Sequence, residues 1–437
     1  STPPTHPTPR LSLERAANLL KDGYLFASRT RRRAGERPDS DRPVSFPLLG
    51  KPATLLRGPE GVRFFYDQTK VKREGAMPKV VSGPLFGAGA VHGLDGAAHR
   101  TRKAQMADMA YEDSRVAVFK GIVAEEVLAM VRAWSVANPA MPTNVYDATS
   151  LAFGRAAFRW AGLPISAADM DRRARQMSHL LDAFGQPSTN PSAWWDRFSL
   201  DRWATALIEG VRTGSFSVDQ NSVVQNMADL RDKHDHVVDA KTAGIELQNL
   251  TRPTVAVARF AAFAAAALVE HPEWAQRIHA AVDNAGGQLH DIPEAVAFAQ
   301  EVRRTYPFVP MLPAIATEDA EVSGCPIHRG QRVLIDILGT NTGPSTWDRA
   351  GTFDPERFLG VADAEAIETF IPQGGADVRE GHRCPGEKIA VTALSVAVAA
   401  LSDPRIQISP DAEDTTFTWT TMLTRPSTGV RVEYVAD

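Results

Sequence analysis

Cys384 is the residue of this sequence whose type and surroundings most clearly predict chemistry. It lies in the segment Gly381-His-Arg-Cys-Pro-Gly-Glu387, and the apolar run Lys388–Leu401 follows it without a helix breaker. This spacing places Cys384 just before a helix N-terminus, where unpaired N–H groups and the helix dipole favour an anion. A lone cysteine is about as often a small apolar core residue, but His382 and Arg383 add cationic donors beside this one. We therefore predict a thiolate that acts as a metal ligand or a nucleophile.

Arg252 is the second candidate, because it stands inside the long apolar segment Thr242–Glu270. That segment is apolar nearly all round, so we expect a buried helix. Pro253 should kink the helix, since proline lacks a donor and clashes with the carbonyl of Asn249. A buried arginine needs an anion. Three alternatives are open: an internal carboxylate such as Glu246, an exit of the side chain to the surface, or the carboxylate of a bound acid held by two parallel hydrogen bonds.

The elements that must position these residues are mainly helical, with a few strands. The apolar pattern predicts helices at Leu13–Leu20, Gly61–Asp67, His99–Met109, Val116–Trp134, Ala168–Phe184, Trp194–Thr213, Val223–Lys233, Thr242–Glu270, Pro293–Thr305 and Glu387–Leu401. It predicts strands at Pro52–Arg57, Arg332–Leu338, Phe417–Leu423 and Val430–Val435, with Thr424–Gly429 as a turn between the last two. The 437 residues contain no internal repeat and no Ser/Gly linker, so we predict a flexible arm at residues 1–12 and a single domain at residues 13–437.

Composition and charge narrow the function classes. The net charge is −4 and the isoelectric point is near 6.3, so we expect neither nucleic acid nor an anionic membrane as a partner. Two cysteines exclude a disulfide framework. We expect no signal peptide and no membrane anchor, because residues 1–9 lack a basic-then-apolar pattern and the longest apolar runs are short for a bilayer, so we expect a cytoplasmic protein. The basic cluster Arg29–Arg33 is favoured as a solvated surface over a dock for a redox partner.

Several motifs, in this order along the chain, resemble the cytochrome P450 superfamily. The segment Gly381–Glu387 is similar to its haem-thiolate loop. Glu301-Val-Arg-Arg304, Tyr306-Pro-Phe-Val-Pro310 and Phe353-Asp-Pro-Glu-Arg357-Phe358 precede that loop at matching spacing. The resemblance covers the chain from about Leu13 to Val435, although the loop before Cys384 is longer than in most members. It implies a mainly α cytochrome P450 fold with a small β-sheet region and haem b as the cofactor.

The resemblance also implies roles for single residues. Cys384 would be the axial ligand of the haem iron. The contacts to the haem propionates would be His382, His99 and Lys103. The buried ion-pair network on the haem side of the core would be formed by Glu301, Arg304 and Arg357.

The helix that contains Arg252 resembles the one that crosses the distal haem face. The acidic residue and the threonine usual there are absent, and Arg252-Pro253 stands in their place. This replacement resembles the peroxygenase branch, the bacterial fatty-acid hydroxylases and decarboxylases that use hydrogen peroxide. It implies a free fatty acid as substrate and no redox partner protein. Arg252 would hold the carboxylate, which would itself move the proton, so oxidation would fall on Cα and Cβ and give hydroxy acids or terminal alkenes.

A glycine-rich loop and an apolar segment complete the expected site. Gly87-Ala-Gly89 is too short for a dinucleotide fingerprint, so we interpret its surroundings as a flexible loop that carries Phe86 and His92 into the catalytic site. His92 resembles the histidine of alkene-forming relatives and favours decarboxylation. We expect Phe86, Phe308 and Val309 to line the acyl pocket.

Three other functions stay open. The first is a conventional monooxygenase that takes electrons from NAD(P)H through ferredoxin or flavodoxin. A non-catalytic haem or lipid sensor is the second, and peroxide turnover would distinguish it. The third is a cysteine-nucleophile enzyme without haem, which the colour of the purified protein would reveal.

Overall fold

The predicted helical character is confirmed in the computed structural model, which describes residues 22–48, 50–76, 94–183, 191–378, 381–420 and 422–436. The α-helices of these residues are α1 (Phe26–Arg33), α2 (Gly58–Phe65), α3 (Gly96–Ala110), α4 (Asp113–Ser135), α5 (Val145–Ala161), α6 (Ala167–Asp182), α7 (Pro191–Arg212), α8 (Val223–Ala228), α9 (Ala240–Ala256), α10 (Ala258–Glu270), α11 (Pro272–Asn284), α12 (Pro293–Thr305), α13 (Ile337–Asn341), α14 (Glu387–Leu401) and α15 (Ala412–Thr415). Short 3₁₀ turns lie at Gly23–Leu25, Pro355–Phe358 and Ala364–Ala366.

The helices α9 and α10 form the central rod of the molecule. Asp239 caps α9 by accepting a hydrogen bond from the Thr242 amide at 3.0 Å. Gly244 lets this helix approach α7 closely, because a Cβ at that position would lie 2.9 Å from the Ala204 carbonyl carbon. The whole rod, Ala240–Glu270, is long and apolar enough to cross a membrane, but 83% of its most apolar stretch is buried inside the protein. It is therefore the core helix that the sequence predicts.

The interruption of this rod lies one turn later than expected. Pro253 stays inside α9, and the break between the two helices falls at Val257. The Val257 amide still donates to the Pro253 carbonyl at 3.1 Å, and the Ala261 amide donates to the Val257 carbonyl at 3.0 Å. Proline removes only the donor of its own residue, so the hydrogen-bond ladder continues on both sides of Val257.

A five-stranded sheet, in the order β1-β2-β7-β4-β3, lies beside the helical part. The strands of the described residues are β1 (Val44–Leu48), β2 (Lys51–Leu56), β3 (Val71–Lys72), β4 (Met311–Ala316), β5 (Ala320–Val322), β6 (Cys325–Ile327), β7 (Arg332–Asp336), β8 (Ile406–Ile408) and β9 (Val432–Tyr434). β2 and β7 run parallel, and the other pairs of this sheet are antiparallel. The start of β4 and the residue after β7 bring Met311 and Ile337 to the central cavity.

Two strand predictions are wrong in part. Residues 417–420 and 422–423 form no strand, because Phe417 packs on the ring of Phe263 and Leu423 has a left-handed φ of 52° that an extended chain does not adopt. The partner of β9 is instead β8. β7 ends at Asp336, not Leu338, since the Asp336 side chain accepts from the Gly339 amide and begins α13.

The remaining differences concern helices and the basic cluster. α8 ends at Ala228 rather than Lys233, and the helices α1, α5, α11, α13 and α15 were not predicted. Within Arg29–Arg33 the surface interpretation fails for Arg31, which is 1% exposed and pairs with Asp336 at 2.6 Å; Arg32 and Arg33 are exposed. The expected helix at Leu13–Leu20 lies outside the described residues.

Candidate active site

A central cavity lies between the core helices, the sheet and the loop before α14. It encloses about 1250 Å³ of space that protein atoms do not occupy, open solvent included. Its lining residues are His99, Lys103, Met106, Leu181, Asn249, Arg252, Pro253, Ala256, Phe308, Val309, Met311, Leu312, Ile337, Pro372, Gln373, Gly374, His382, Cys384, Pro385 and Leu423.

Cys384 lies where the sequence predicts it, directly before α14. Its amide donates to the Gln373 carbonyl at 3.1 Å, and Gly386 is the N-cap of the helix. The residue keeps some surface towards the cavity but lies deep below the surface of the molecule. Burial raises the pKa of the Cys384 thiol, and the nearby Lys103 charge opposes that shift. Burial thus disfavours the charged thiolate, whereas the Lys103 charge favours it.

An ion-pair cluster that the sequence analysis missed fixes the base of this loop. Glu387 accepts from Arg303 at 2.7 Å and from Arg383 at 2.6 Å, and all three side chains are buried. Arg303 also donates to Gln373 at 2.7 Å. Burial alone would raise the pKa of Glu387, but the two arginines hold it below its usual range. The available signal was the position of Glu387 one helical turn after Arg383.

His99, Lys103 and His382 come together at one edge of the cavity. The rings of His99 and His382 stack with their centroids 4.1 Å apart. Neither ring nitrogen of His99 has a hydrogen-bond partner within the described part of the chain, although the side chain is fully buried. Burial, together with Lys103, lowers the pKa of His99 to about 4. Burial also lowers the pKa of Lys103 to about 8, and this side chain donates to the Arg383 carbonyl.

These residues fit a haem group. The thiol of Cys384 lines one part of the cavity, and unsatisfied ring nitrogens and an ammonium line its edge. A buried polar group without a partner costs free energy, so donors at this edge favour an anionic ligand such as a propionate. The donor set therefore matches an iron porphyrin, with a soft sulfur ligand for the metal.

Arg252 also lines the cavity and is 4% exposed. Its Nη2 donates to Asn249 Oδ1 at 2.6 Å, and Asn249 Nδ2 donates to Glu246 at 2.8 Å. Glu246 in turn pairs with Arg102 at 3.4 Å. Burial, and then the charge of Arg197, lower the pKa of Arg252 to about 9. The guanidinium therefore keeps its charge at neutral pH.

The expected acyl-pocket residues fall in two groups. Phe308 and Val309 line the cavity, and the Phe308 ring lies 4.9 Å from that of Phe260. Phe86 and His92 lie outside the described residues. Sequence reasoning did not identify Leu181 and Leu423 as further lining residues, because they come from segments distant in the chain.

Glu301, Arg304 and Arg357 form one contact network away from the cavity. Glu301 is fully buried and pairs with Arg304, one turn along α12, and with Arg357 Nε at 2.7 Å. It also accepts from the Asp354 amide at 2.6 Å. Arg304 donates to the Ala350 carbonyl at 3.0 Å. These contacts tie α12 to the Pro355–Phe358 turn.

Comparison with solved structures finds full-length similarity. A cytochrome P450SPα (CYP152B1) in complex with (R)-ibuprofen is 33% identical, with a TM-score of 0.83 and coverage of 97% of this chain and 100% of that one. Ligand-free cytochrome P450 OleT is 28% identical, with a TM-score of 0.85 and coverage of 98% and 99%. Cytochrome P450EXα (CYP152N1) with myristic acid is 26% identical, with a TM-score of 0.82 and coverage of 97% of each chain.

Comparison with curated sequences gives shorter matches. The family model described as Cytochrome P450 matches residues 218–432. Cytochrome P450 76C1 of Arabidopsis thaliana is 27% identical over 238 residues, which are 50% of this chain and 46% of that protein. Drimenol monooxygenase of Persicaria hydropiper is 34% identical over 114 residues, 25% of this chain and 22% of that protein. The chain thus spans less than half of the length of these curated relatives.

Proposed function

Because the chain belongs to the cytochrome P450 superfamily of haem-thiolate oxidoreductases, we propose that it is a peroxygenase that uses hydrogen peroxide to oxidise free fatty acids at Cα and Cβ. The products are hydroxy fatty acids and, by oxidative decarboxylation, terminal alkenes. The observation that carries this proposal is the position of Arg252, a buried cation that lines the same cavity as Cys384. Solved relatives bound to acids, myristic acid among them, support the substrate class.

In this proposal the cofactor is haem b. Cys384 would ligate the haem iron, and His99, Lys103 and His382 would hold the propionates. When bound, the haem supplies the oxidising chemistry, and a thiolate ligand favours cleavage of an O–O bond. The Lys103 charge supports the thiolate form, since it lowers the pKa of Cys384 against the effect of burial.

Arg252 binds the substrate carboxylate, and Asn249 sets the plane of the guanidinium through its 2.6 Å hydrogen bond. The residues of α9 that line the described cavity are Asn249, Arg252, Pro253 and Ala256, none of which is an acid or an alcohol. A carboxylate held at Arg252 supplies the missing acid/base group, and such catalysis contributes roughly 10²- to 10⁴-fold. The substrate therefore completes the catalytic site.

The same contact decides which carbons react. A carboxylate fixed at Arg252 leaves Cα and Cβ as the nearest C–H groups, while the acyl chain extends along Phe308 and Val309. Pro253 and Ala256 line the same cavity and add apolar surface to it. We assign Phe86 to the same pocket and His92 to proton donation that favours alkene formation, both from the sequence alone.

The proposal is tested with holoprotein, hydrogen peroxide and saturated fatty acids of several lengths, and the products are analysed by mass spectrometry. We expect 2-hydroxy and 3-hydroxy acids or terminal alkenes. Arg252→Ala should bind haem normally and lose turnover by ~10²- to 10⁴-fold. The wild-type protein should not oxidise an alkane alone. It should oxidise the alkane when a short carboxylic acid is added, because that acid occupies Arg252. Chain-end hydroxylation, or full activity in Arg252→Ala, would contradict the proposal.

A conventional monooxygenase is the second candidate, favoured by the matches to plant P450 proteins such as drimenol monooxygenase. It would take electrons from NAD(P)H through a redox partner, whereas the peroxygenase needs no such protein. The two are distinguished by supplying NADPH, ferredoxin and a reductase in place of peroxide. Equal oxidation of carboxylate-free substrates by this system would replace the peroxygenase with the monooxygenase.

A further inference from the structure

A second cavity is lined by Tyr24, whose hydroxyl binds the carbonyl of Phe308 in the candidate active site. It encloses space between α1, the end of α10, the end of α12, α13 and the segment that contains Phe417 and Trp419. Its rim includes the exposed residues Pro38, Glu270 and Gly351, so it is reached from solvent. This second cavity shares none of its lining residues with the first.

Arg31 forms the charged base of the second cavity. Its Nη1 donates to Asp336 at 2.6 Å, but Nε and Nη2 have no hydrogen-bond partner within the described part of the chain. The residue is 1% exposed and lines the cavity. Buried N–H groups of a cation are costly when they lack an acceptor, so these two donors favour an anionic ligand.

Arg57 adds a second cation to this base. Its Nη1 and Nη2 donate to the Pro38 and Asp39 carbonyls at 2.6 and 2.8 Å, which are neutral acceptors. The charges of Arg31 and Asp336 both act on Arg57, and Asp41 lies 3.1 Å from its Nε. The Asp336 carboxylate serves α13 as well, because its Oδ1 accepts from the Gly339 amide at 2.9 Å. Asp336 is therefore shared between the arginine and the helix.

Four rings of the lining form an aromatic wall of the second cavity: Phe353, Tyr306, Phe417 and Trp419. Neighbouring ring centroids in this series lie 6.4, 6.2 and 4.9 Å apart. All four residues line the cavity and are half-buried, so part of each ring surface faces it. Such ring faces and edges favour another aromatic ring in stacked or T-shaped contact.

We propose that the second cavity binds an aromatic carboxylate, whose ring lies on the aromatic wall and whose carboxylate accepts hydrogen bonds from Nε and Nη2 of Arg31. The guanidinium edge formed by these two nitrogens matches a carboxylate that accepts two parallel hydrogen bonds. The site is independent of the proposed peroxygenase reaction.

A bound ligand would lie next to the acyl pocket without entering it. Tyr24 lines the second cavity, and its hydroxyl donates to the Phe308 carbonyl. Tyr306 lines the same cavity two residues before Phe308, which lines the first. Tyr24 and the segment from Tyr306 to Phe308 therefore separate the two cavities.

The test is a calorimetric titration of 2-naphthoate into holoprotein whose first cavity is saturated with myristic acid. We expect saturable binding with no change in the haem absorbance spectrum, because the haem side is already filled. The neutral 2-naphthamide should bind at least about tenfold more weakly, since it offers Arg31 no charge. Absence of 2-naphthoate binding, or equal affinity for the amide, would overturn the proposal.

Amino-acid substitutions test whether 2-naphthoate binds in the second cavity. Arg31→Gln should weaken the affinity for 2-naphthoate by roughly 10- to 100-fold, the effect of a lost charge-assisted hydrogen bond. The matched control Arg32→Gln, on the exposed side of α1, should leave that affinity unchanged.

Arg31 also supports Asp336, so a second variant fills the cavity without removing a buried charge. This variant is Gly351→Trp, since a Cβ at Gly351 meets no atom within 4 Å. Wild-type affinity in both Arg31→Gln and Gly351→Trp would place the ligand elsewhere and refute the assignment.

Discussion

At the scale of single residues, Arg252 lies at the end of a chain of polar contacts that runs through Asn249 and Glu246 to Arg102. Asn249 is the intermediate, because its amide accepts from the arginine with one atom and donates to the carboxylate with the other. An amide in this position links the orientation of Glu246 to that of the guanidinium.

Asn249 is therefore predicted to position Arg252 rather than to take part in the reaction. Asn249→Ala should raise KM for fatty acids by about tenfold with a smaller fall in kcat, since it removes one hydrogen bond to a charged group. The matched control is Gln248→Ala on the neighbouring residue, whose side chain binds Asp201. Steady-state kinetics with peroxide measure both variants. A loss confined to kcat in Asn249→Ala would contradict a positioning role.

The charge of Arg252 predicts the pH dependence of fatty-acid binding. Its pKa in the ligand-free protein is lowered to about 9 by burial, so the cation is present at neutral pH and is lost as pH rises through that value. Affinity should be constant near neutral pH and weaken at about pH 10. Spectroscopic titration of the haem protein with a fatty acid at both pH values checks this. Affinity that increases with pH would exclude Arg252 as the anchor.

Cys384 offers a comparison with the one other cysteine of the sequence. Cys384→Ser should abolish the thiolate-type spectrum of the reduced carbon monoxide complex, because a serine oxygen does not replace the sulfur ligand. Cys325→Ser, in β6 and distant from the cavity lining, should keep that spectrum. Absorbance spectra of the reduced proteins with carbon monoxide decide between them, and the reverse pattern would be incompatible with Cys384 as ligand.

At the scale of elements, α12 and α14 are held together by charge as well as by apolar contact. Arg303 of α12 reaches Glu387 in the first turn of α14, and the same carboxylate binds Arg383 in the loop before Cys384. Arg303 also binds Gln373, so α12 contacts the chain both before and after Cys384. The position of the sulfur thus depends on an ion pair between two helices.

Substitution of Glu387 should strongly lower the stability of the protein, because its carboxylate joins α12, the cysteine loop and α14. Glu387→Gln leaves two buried arginines without their carboxylate and should lower the free energy of unfolding by about 3–5 kcal/mol. The exposed pair Glu356–Arg277 provides the control, and Glu356→Gln should change stability by less than about 1 kcal/mol. Urea unfolding of both variants measures the difference. Similar values for the two would mean that the buried cluster contributes little.

At the scale of the whole molecule, the sequence predicts the helices with regular apolar patterns and clear ends. α12 and α14 have the predicted bounds, since one begins at Pro293 and the other follows Pro385-Gly386. α5 was missed because it is buried on nearly all sides and shows no single apolar face, although Asn144 caps it. The segment around Leu423 was misassigned because its alternating apolar residues mimic a strand, and its left-handed backbone is visible only in three dimensions.

Residues of the candidate site could likewise be predicted where a local pattern marked them. Cys384 and Arg252 were identifiable from local sequence because each interrupts a regular pattern. Arg303 and Glu387 were not, since their contact joins residues 84 positions apart. Asn249 contacts Arg252 and Glu246, each three positions away, a local spacing that the sequence analysis did not use. A single domain at residues 13–437 remains our proposal for the organisation of the chain, and a cytoplasmic location remains an expectation.

The hydrogen bond from Tyr24 to the Phe308 carbonyl has a consequence for biosynthesis. It joins residues 284 positions apart, and the Thr424 amide reaches the same tyrosine hydroxyl at 3.3 Å across 400 positions. Local helices form while the ribosome is still extending the chain, but contacts of this sequence separation wait for the later residues. The wall of the acyl pocket is therefore closed only when translation has passed Thr424, so nascent chains arrested before that residue should not retain a fatty acid.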